Sequence, residues 1–185
     1  MSALLQNKEL WERATPLTIE AYHLLYKEGL IPEKTELLEG VVIQKMPKDP
    51  IHAELVTNLT FYLYEQLKNK FQIRQENPIG AEFSLPEPDI AIVPIDDYSK
   101  SHPKSALVVI EVANSSLQID RAKSSIYAKI GVPEYIIVNL QNLILEYYSS
   151  LSGEKYSFTE ILQKNETFTS TTIPEISFRL EDFLK

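Results

Sequence analysis

Apolar residues recur along this chain at two periods, one typical of helices and one typical of strands. Helical spacing predicts a helix that Thr18 caps and Gly29 ends, and a long amphipathic helix that begins near Asp49 and Pro50. The segment LEDFLK predicts a last short helix. A further helix is predicted in SLQIDRAKSSIYAKIGV, with its apolar positions at Ile119, Ala122, Ile126 and Ile130.

Short runs rich in β-branched and aromatic residues lie between these helices and predict strands. TELLEGVVIQKMP predicts a hairpin that turns at Glu39 and Gly40. ALVVIEVA is apolar enough from Ala106 to Val112 to predict a central strand that is buried on both faces. The other runs are FQIRQE, IGAEFSL, DIAIVP, EYIIVN, LILEYYSS and KYSFTEIL.

The order of these elements predicts the fold class. A strand, a helix and another strand follow one another from Leu107 to Val138, which indicates a parallel crossover in a sheet that begins with antiparallel hairpins. We therefore predict an α/β (α+β) fold, with a mixed β-sheet flanked by helices on both faces. The length suits one domain over residues 1–185, in which residues 1–15 form an N-terminal arm.

Composition narrows the possible functions. The formal net charge of −8 gives no general basic surface for nucleic acid, so a polyanionic partner would need a local basic patch or metal ions. The absence of cysteine excludes disulfides and thiolate catalysis. Because there is also no run of about 18 apolar residues, we expect a cytoplasmic protein with no membrane partner. No phosphate-binding loop and no Gly-x-Gly-x-x-Gly motif is present, so no nucleotide cofactor is expected.

Two carboxylates occupy unusual positions in the predicted strands. Asp89 directly precedes DIAIVP, and Glu111 lies inside VVIEVA, where an unpaired charge costs several kcal/mol. Asp89 could cap a turn, and Glu111 could pair with Arg121 or Lys123 on the next helix. On adjacent strands, however, the two carboxylates would repel each other unless a cation or a shared proton lay between them. Mg²⁺ binds through one or two carboxylates and water, so the pair predicts a Mg²⁺ site that Lys123 could reach.

The same residues carry a resemblance to a known family. Pro88 and Asp89, followed by Glu111 at the end of an apolar strand, resemble the PD-(D/E)xK nuclease superfamily, which has the restriction-endonuclease-like fold. Across residues 16–185 the chain is similar to a large bacterial family of restriction-endonuclease-like proteins of unknown biological role. The motifs that carry this similarity are ELLEG, DPIHAELV, PEPDIAIV, VVIEVANSS, DRAKSSIYAKIGVPEYIIV and IPEISFRLEDFL.

The resemblance implies a four- or five-stranded mixed sheet flanked by helices, with Asp89 and Glu111 as ligands of Mg²⁺ or Mn²⁺. The superfamily's lysine would fall at Ala113, so we predict that Lys123 replaces it from the helix. The resemblance also marks other positions of the chain. With these included, the catalytic candidates are Asp89, Glu111, Lys123, Glu36 and His52. The supporting residues are Asp120 and Tyr127.

Simpler roles remain open for the weaker candidates. Glu36 could be an exposed hairpin residue, and His52 could be a capping or solvent-facing histidine. Asp120 could act only on the helix dipole, and Tyr127 could simply pack beside the stem of Lys123.

These inferences predict a Mg²⁺- or Mn²⁺-dependent endonuclease that hydrolyses DNA phosphodiester bonds. Cleavage of both strands of a duplex calls for two sites, so we expect a C2 homodimer. One alternative is a catalytically inactive protein of the nuclease fold that serves as a binding or scaffold module. Another is a small α/β domain in which Asp89 and Glu111 only form ion pairs with Arg121 and Lys123.

Overall fold

The computed structural model describes residue 9 and residues 13–80 and 82–184, so most of the predicted N-terminal arm lies outside the described residues. The helices are α1 (Ile19–Lys27), α2 (Pro50–Leu67) and α3 (Leu117–Lys129), with a 3-10 helix at Leu180–Phe183. The strands are β1 (Thr35–Leu38), β2 (Val41–Gln44), β3 (Gln72–Gln75), β4 (Ile90–Val93), β5 (Val108–Ala113), β6 (Glu134–Asn139), β7 (Ile144–Ser152), β8 (Lys155–Gln163), β9 (Thr167–Thr169) and β10 (Ser177–Arg179).

The central sheet of the described chain has six strands in the order β3, β4, β5, β6, β7, β8. Only β5 and β6 run parallel, and α3 connects them, as the predicted crossover requires. The other neighbouring strands of this sheet are antiparallel. The predicted mixed sheet is therefore confirmed, although it has six strands instead of the four or five that the resemblance implied.

Helices cover both faces of the sheet, as predicted. Leu55, Leu59 and Leu63 of α2 belong to the core on one face, together with Ile110 of β5. Tyr127 of α3 belongs to the core on the other face. Because side chains alternate along a strand, the face that carries Val109 and Ala113 also carries Glu111. The strand order thus directs this carboxylate toward α3.

The buried side of α3 differs from the predicted apolar stripe. Of the predicted positions, Ile126 is buried, whereas Ala122 is exposed and Ile119 and Ile130 are only half-buried. Asp120 and Lys123 are buried instead, at 3% and 4% exposure. The helix turns this polar side inward because Glu111 on β5 needs a compensating partner there.

Two further predictions concern the N-terminal half of the chain. The predicted hairpin is confirmed: β1 and β2 pair around Glu39 and Gly40, which both have positive φ. The predicted strand in IGAEFSL is wrong, because this segment makes only an isolated bridge between Leu85 and Leu37. Pro86 follows directly and has no N–H to extend a ladder.

The C-terminal segment adds a hairpin that the sequence did not predict. β9 and β10 pair with each other and place Phe168 and Phe178 in the same core as α2. The turn of this hairpin is fixed by the buried carboxylate of Glu134, which accepts hydrogen bonds from Ser170 and Thr171. The last short helix is confirmed as the 3-10 helix. No helix in the described residues is long and apolar enough to span a membrane.

Candidate functional site

Asp89 and Glu111 lie side by side where the start of β4 meets the end of β5. Ile90 pairs with Ile110, so the antiparallel register places the two acidic residues next to each other. The Asp89 N–H donates to Glu111 Oε2 at 3.0 Å, and the Val112 N–H donates to Asp89 Oδ2 at 2.8 Å. Both residues are buried, at 7% and 3% exposure. The sequence prediction that they stand together is confirmed by this geometry.

Asp89 is surrounded by cationic and hydrogen-bonding groups. His52 Nε2 lies 3.0 Å from Asp89 Oδ2, and Lys48 Nζ lies 3.2 Å from Asp89 Oδ1. Burial by itself would raise the pKa of Asp89, but His52 and Lys48 outweigh it and lower this pKa to about 2. Asp89 is therefore ionised at neutral pH.

Glu111 lies deeper and holds its proton more tightly. Tyr127 donates its hydroxyl to Glu111 Oε1 at 2.8 Å, and Lys123 Nζ contacts the same oxygen at 3.1 Å. Burial raises the pKa of Glu111 to about 8; Lys123 opposes this rise, and the nearby Asp89 charge adds to it. The surroundings therefore shift the pKa values of the two central carboxyl groups in opposite directions.

Lys123 is the charge centre of the deeper half of the site. Its Nζ lies 2.9 Å from Glu36, 3.1 Å from Glu111 and 3.6 Å from Asp120. Burial acts to lower the pKa of Lys123, but these carboxylates outweigh it and raise the pKa above its ordinary value. An ammonium group has three hydrogens, and here three carboxylates surround it. The predicted reach of Lys123 toward the strand ends is observed, while its role toward water stays a prediction.

The remaining predicted residues also converge on this site. Glu36 is buried at 4% exposure and accepts from the Glu87 N–H at 3.1 Å, so it is not an exposed hairpin residue. His52 is buried at 8% exposure, which excludes a solvent-facing position. Asp120 accepts from Ser116 Oγ at 2.6 Å within the first turn of α3. Tyr127 does more than pack beside Lys123, because it donates to Glu111.

Arg121 does not belong to this site. Its guanidinium forms two hydrogen bonds with Glu146 on β7, at 2.8 and 2.7 Å. The alternative in which Arg121 pairs with Asp89 or Glu111 is therefore wrong, although its other half, the pairing of Lys123 with Glu111, is observed.

Several polar residues at the cleft were not among the predicted site residues. Asn114, directly after β5, donates to Asp49 Oδ2 at 2.6 Å. Asp49 caps α2 by accepting from the His52 N–H at 2.9 Å, and so fixes the turn that carries His52. Lys48 contacts Glu76 as well as Asp89. The cap signature at Asp49 was visible in the sequence, but the partners of Lys48 were not.

The two central carboxylates fit a hard divalent cation. Among the described residues, Asp89 Oδ1 accepts only from Lys48 and Glu111 Oε2 accepts only from the Asp89 N–H, so each oxygen keeps a lone pair. No group of three His, Cys, Asp or Glu side chains that could hold a metal occurs in residues 9, 13–80 and 82–184. Two carboxylates with open lone pairs match the ligands of a Mg²⁺ ion that keeps most of its water.

The mixed sheet and the paired carboxylates at its strand ends define a restriction-endonuclease-like protein of the PD-(D/E)xK superfamily. The chain belongs to the Uma2 family, described as "putative restriction endonuclease", whose profile matches residues 19–181.

Two solved structures resemble the chain. The crystal structure of a "putative nuclease belonging to DUF820" from Anabaena variabilis has a TM-score of 0.73 and 14% identity, covering 91% of this chain and 97% of that chain. The structure of the type IIG restriction endonuclease BpuSI has a TM-score of 0.37 and 18% identity, covers 61% of this chain and 13% of that chain, and supports no conclusion. A search of curated proteins found no significant match.

Proposed function

We propose that this protein is a Mg²⁺- or Mn²⁺-dependent endonuclease that hydrolyses phosphodiester bonds of nucleic acid, with DNA as the substrate. One observation carries the proposal. Two buried carboxylates, Asp89 directly before β4 and Glu111 on the neighbouring β5, line the same cleft, and the Asp89 backbone N–H donates to Glu111 Oε2 at 3.0 Å. Membership of a nuclease-like family supports the reaction type. A homodimer and a cytoplasmic location belong to the same proposal.

Each residue of the site has a distinct task in this proposal. Asp89 and Glu111 would hold the cation, which supplies Lewis acidity, a more acidic water and charge for the scissile phosphate. His52 keeps Asp89 oriented and ionised. Tyr127 and Lys123 orient Glu111 from α3. Since the cleft is rich in carboxylates, a phosphate would be repelled from it without a bound cation.

The first test is calorimetric titration of the protein with Mn²⁺, which needs no assumption about a recognised sequence. We expect binding by the wild type and loss of binding in Asp89→Asn and Glu111→Gln. The control is Glu87→Gln, because Glu87 lines the same cleft but its side chain contacts Lys45. Absence of binding in the wild type, or equal binding in all variants, would contradict the proposed metal site.

Cleavage is tested separately on labelled duplex DNA and on RNA of the same sequence, with Mn²⁺ present. Lys123→Met is expected to lower the cleavage rate by about 10²-fold or more, since removing one preorganised donor in other enzymes has effects of that size. An unchanged rate with intact Mn²⁺ binding would remove Lys123 from the reaction.

A second candidate function is nucleic-acid binding without cleavage. The observation that favours it is that Lys123 Nζ lies 2.9, 3.1 and 3.6 Å from three carboxylates, so the charge of this ammonium group is already balanced inside the protein. Mn²⁺ binding together with nucleic-acid retention and no product in either substrate would support this candidate over the nuclease.

A further inference from the structure

Lys48 lies at the opening of the cleft between two carboxylates. Its Nζ is 2.7 Å from Glu76 and 3.2 Å from Asp89 Oδ1. The side chain of Lys48 is 30% exposed and that of Glu76 is 42% exposed, whereas that of Asp89 is only 10% exposed. Lys48 therefore links the interior of the site to its solvent-facing edge.

The oxygen of Asp89 that Lys48 contacts is the one available to a further ligand. Asp89 Oδ2 already has two partners, His52 Nε2 and the Val112 N–H. A carboxylate oxygen has two lone pairs, so Oδ2 is saturated. Oδ1 has Lys48 alone. A cation that binds Asp89 must therefore approach the oxygen that the ammonium group of Lys48 now occupies.

Glu76 provides Lys48 with a second anionic partner at a fixed position. The residue directly follows β3, and its N–H donates to the Asp89 carbonyl at 3.1 Å. Its backbone has a φ of 53°, which turns the chain out of the strand at this point. Lys48 can consequently leave Asp89 and still contact a carboxylate.

We propose that Lys48 is an exchangeable counter-charge for Asp89. Without a divalent cation it bridges Asp89 and Glu76, and when a cation binds Asp89 it withdraws to Glu76 alone. The exchange rests on the proposed function, because it concerns the same cation site. The ammonium group of Lys48 thus competes with the cation for Asp89. Lys48 and Glu76 therefore partly determine the affinity of the site for the cation.

The chain offers a matched control for this exchange. Lys45 lines the same cleft and pairs with Glu87 at 2.7 Å, with side-chain exposures of 21% and 31%. No contact of Lys45 with Asp89 occurs in the described structure. Lys45→Met thus removes the same charge from the same cleft without removing the proposed competitor.

The experiment is calorimetric titration with Mn²⁺ of the wild type, Lys48→Met, Lys45→Met, Glu76→Gln and the double variant Lys48→Met/Glu76→Gln. We expect Lys48→Met to bind Mn²⁺ roughly tenfold more tightly, since a unit charge near the ligand oxygen is removed. Lys45→Met should stay within about threefold of the wild type, because the ammonium group of Lys45 pairs with Glu87 and does not contact Asp89 in the described structure. Glu76→Gln should weaken binding, as Lys48 then has only Asp89.

The double variant separates exchange from a general effect of charge. If Glu76 acts through Lys48, Glu76→Gln should change the affinity little once Lys48 is absent, so the two single effects will not add. As a second readout, Mn²⁺ should raise the melting temperature of Lys48→Met more than that of the wild type.

The results distinguish failure of the exchange from failure of the proposed function. Three results would overturn the exchange while the metal site stands. In the first, the wild type binds Mn²⁺ and Lys48→Met binds it no more tightly. In the others, Lys45→Met gains as much affinity as Lys48→Met, or the effects of Lys48→Met and Glu76→Gln on the affinity add. No Mn²⁺ binding in any variant would overturn both.

Discussion

Glu111 and Asp89 show how the same side-chain chemistry acquires opposite properties from its surroundings. The pKa of Asp89 falls to about 2 because His52 and Lys48 outweigh its burial. The pKa of Glu111 rises to about 8 because burial outweighs Lys123. Lys123 in turn is held by three acids, so the same site lowers the pKa of one carboxyl group and raises the pKa of the other beside a buried ammonium group.

The raised pKa of Glu111 predicts a pH-dependent stability. The ordinary pKa of 4.5 applies in the unfolded chain, and between 4.5 and about 8 the folded protein binds more protons than the unfolded one. The free energy of unfolding should therefore decrease by several kcal/mol as the pH rises from about 5 to about 8. Urea unfolding at several pH values, with a chelator present, measures this slope.

Glu111→Gln should abolish most of that slope. Glu134→Gln is the control, since Glu134 is also a buried glutamate but its hydrogen bonds from Ser170 and Thr171 outweigh burial and lower its pKa. A carboxylate with a lowered pKa contributes no slope above pH 5, so this variant should keep the wild-type slope. Equal slopes in the wild type and Glu111→Gln would show that Glu111 ionises normally.

At the scale of elements, α3 positions the deep half of the site. Its buried side carries Asp120, Lys123 and Tyr127. Lys123 contacts Glu36 on β1 and Glu111 on β5, and Tyr127 donates to Glu111. The first turns of the helix are tied to β7 by Arg121, whose two hydrogen bonds reach the buried Glu146. Packing of α3 therefore decides where Lys123 and Tyr127 lie.

Arg121→Met is expected to lower the free energy of unfolding by about 1–3 kcal/mol, since Glu146 would lose two charged hydrogen bonds while it remains buried. The pair is bidentate, so Arg121→Lys should recover only part of the loss. The control on the same helix is Lys129→Met, whose 3.5 Å pair with Glu154 is exposed and should change stability by less than about 0.5 kcal/mol. Similar losses in the two Met variants, measured by urea unfolding, would contradict the assigned role of Arg121.

At the scale of the whole molecule, the described part of the chain brings the candidate residues of both halves of the site to one cleft. A nuclease that breaks both strands of a duplex needs two sites facing opposite strands, and a two-fold axis provides them. The expected homodimer is part of the proposed function.

We therefore expect sedimentation equilibrium at micromolar concentration to give a species of twice the chain mass of 21.2 kDa. Each chain carries a net charge of −8, so association should strengthen as added salt screens the repulsion between the two copies. A species of 21.2 kDa at all salt concentrations would exclude the homodimer and, with it, concerted cleavage of both strands by one particle.

Local sequence patterns were sufficient to predict many of the helices, strands and turns of this protein. The caps at Thr18 and Asp49, the turn at Glu39 and Gly40 and the apolar run of β5 are short-range features, and each element formed where they predicted it. The pairing of Asp89 with Glu111 was also predictable, because both lie at the boundary of strands that neighbour each other in the sequence.

Only the tertiary structure decided what depends on distant residues. The buried side of α3 followed the need of Glu111 for a partner and not the apolar stripe of the helix itself. Lys48 meets Asp89 across 41 residues, and Glu36 meets Glu87 across 51 residues, so no local pattern signals either contact. The protonation of Glu111 likewise arises from burial among four other ionisable groups. Charge pairing and desolvation act through space, and the sequence specifies them only once the chain is folded.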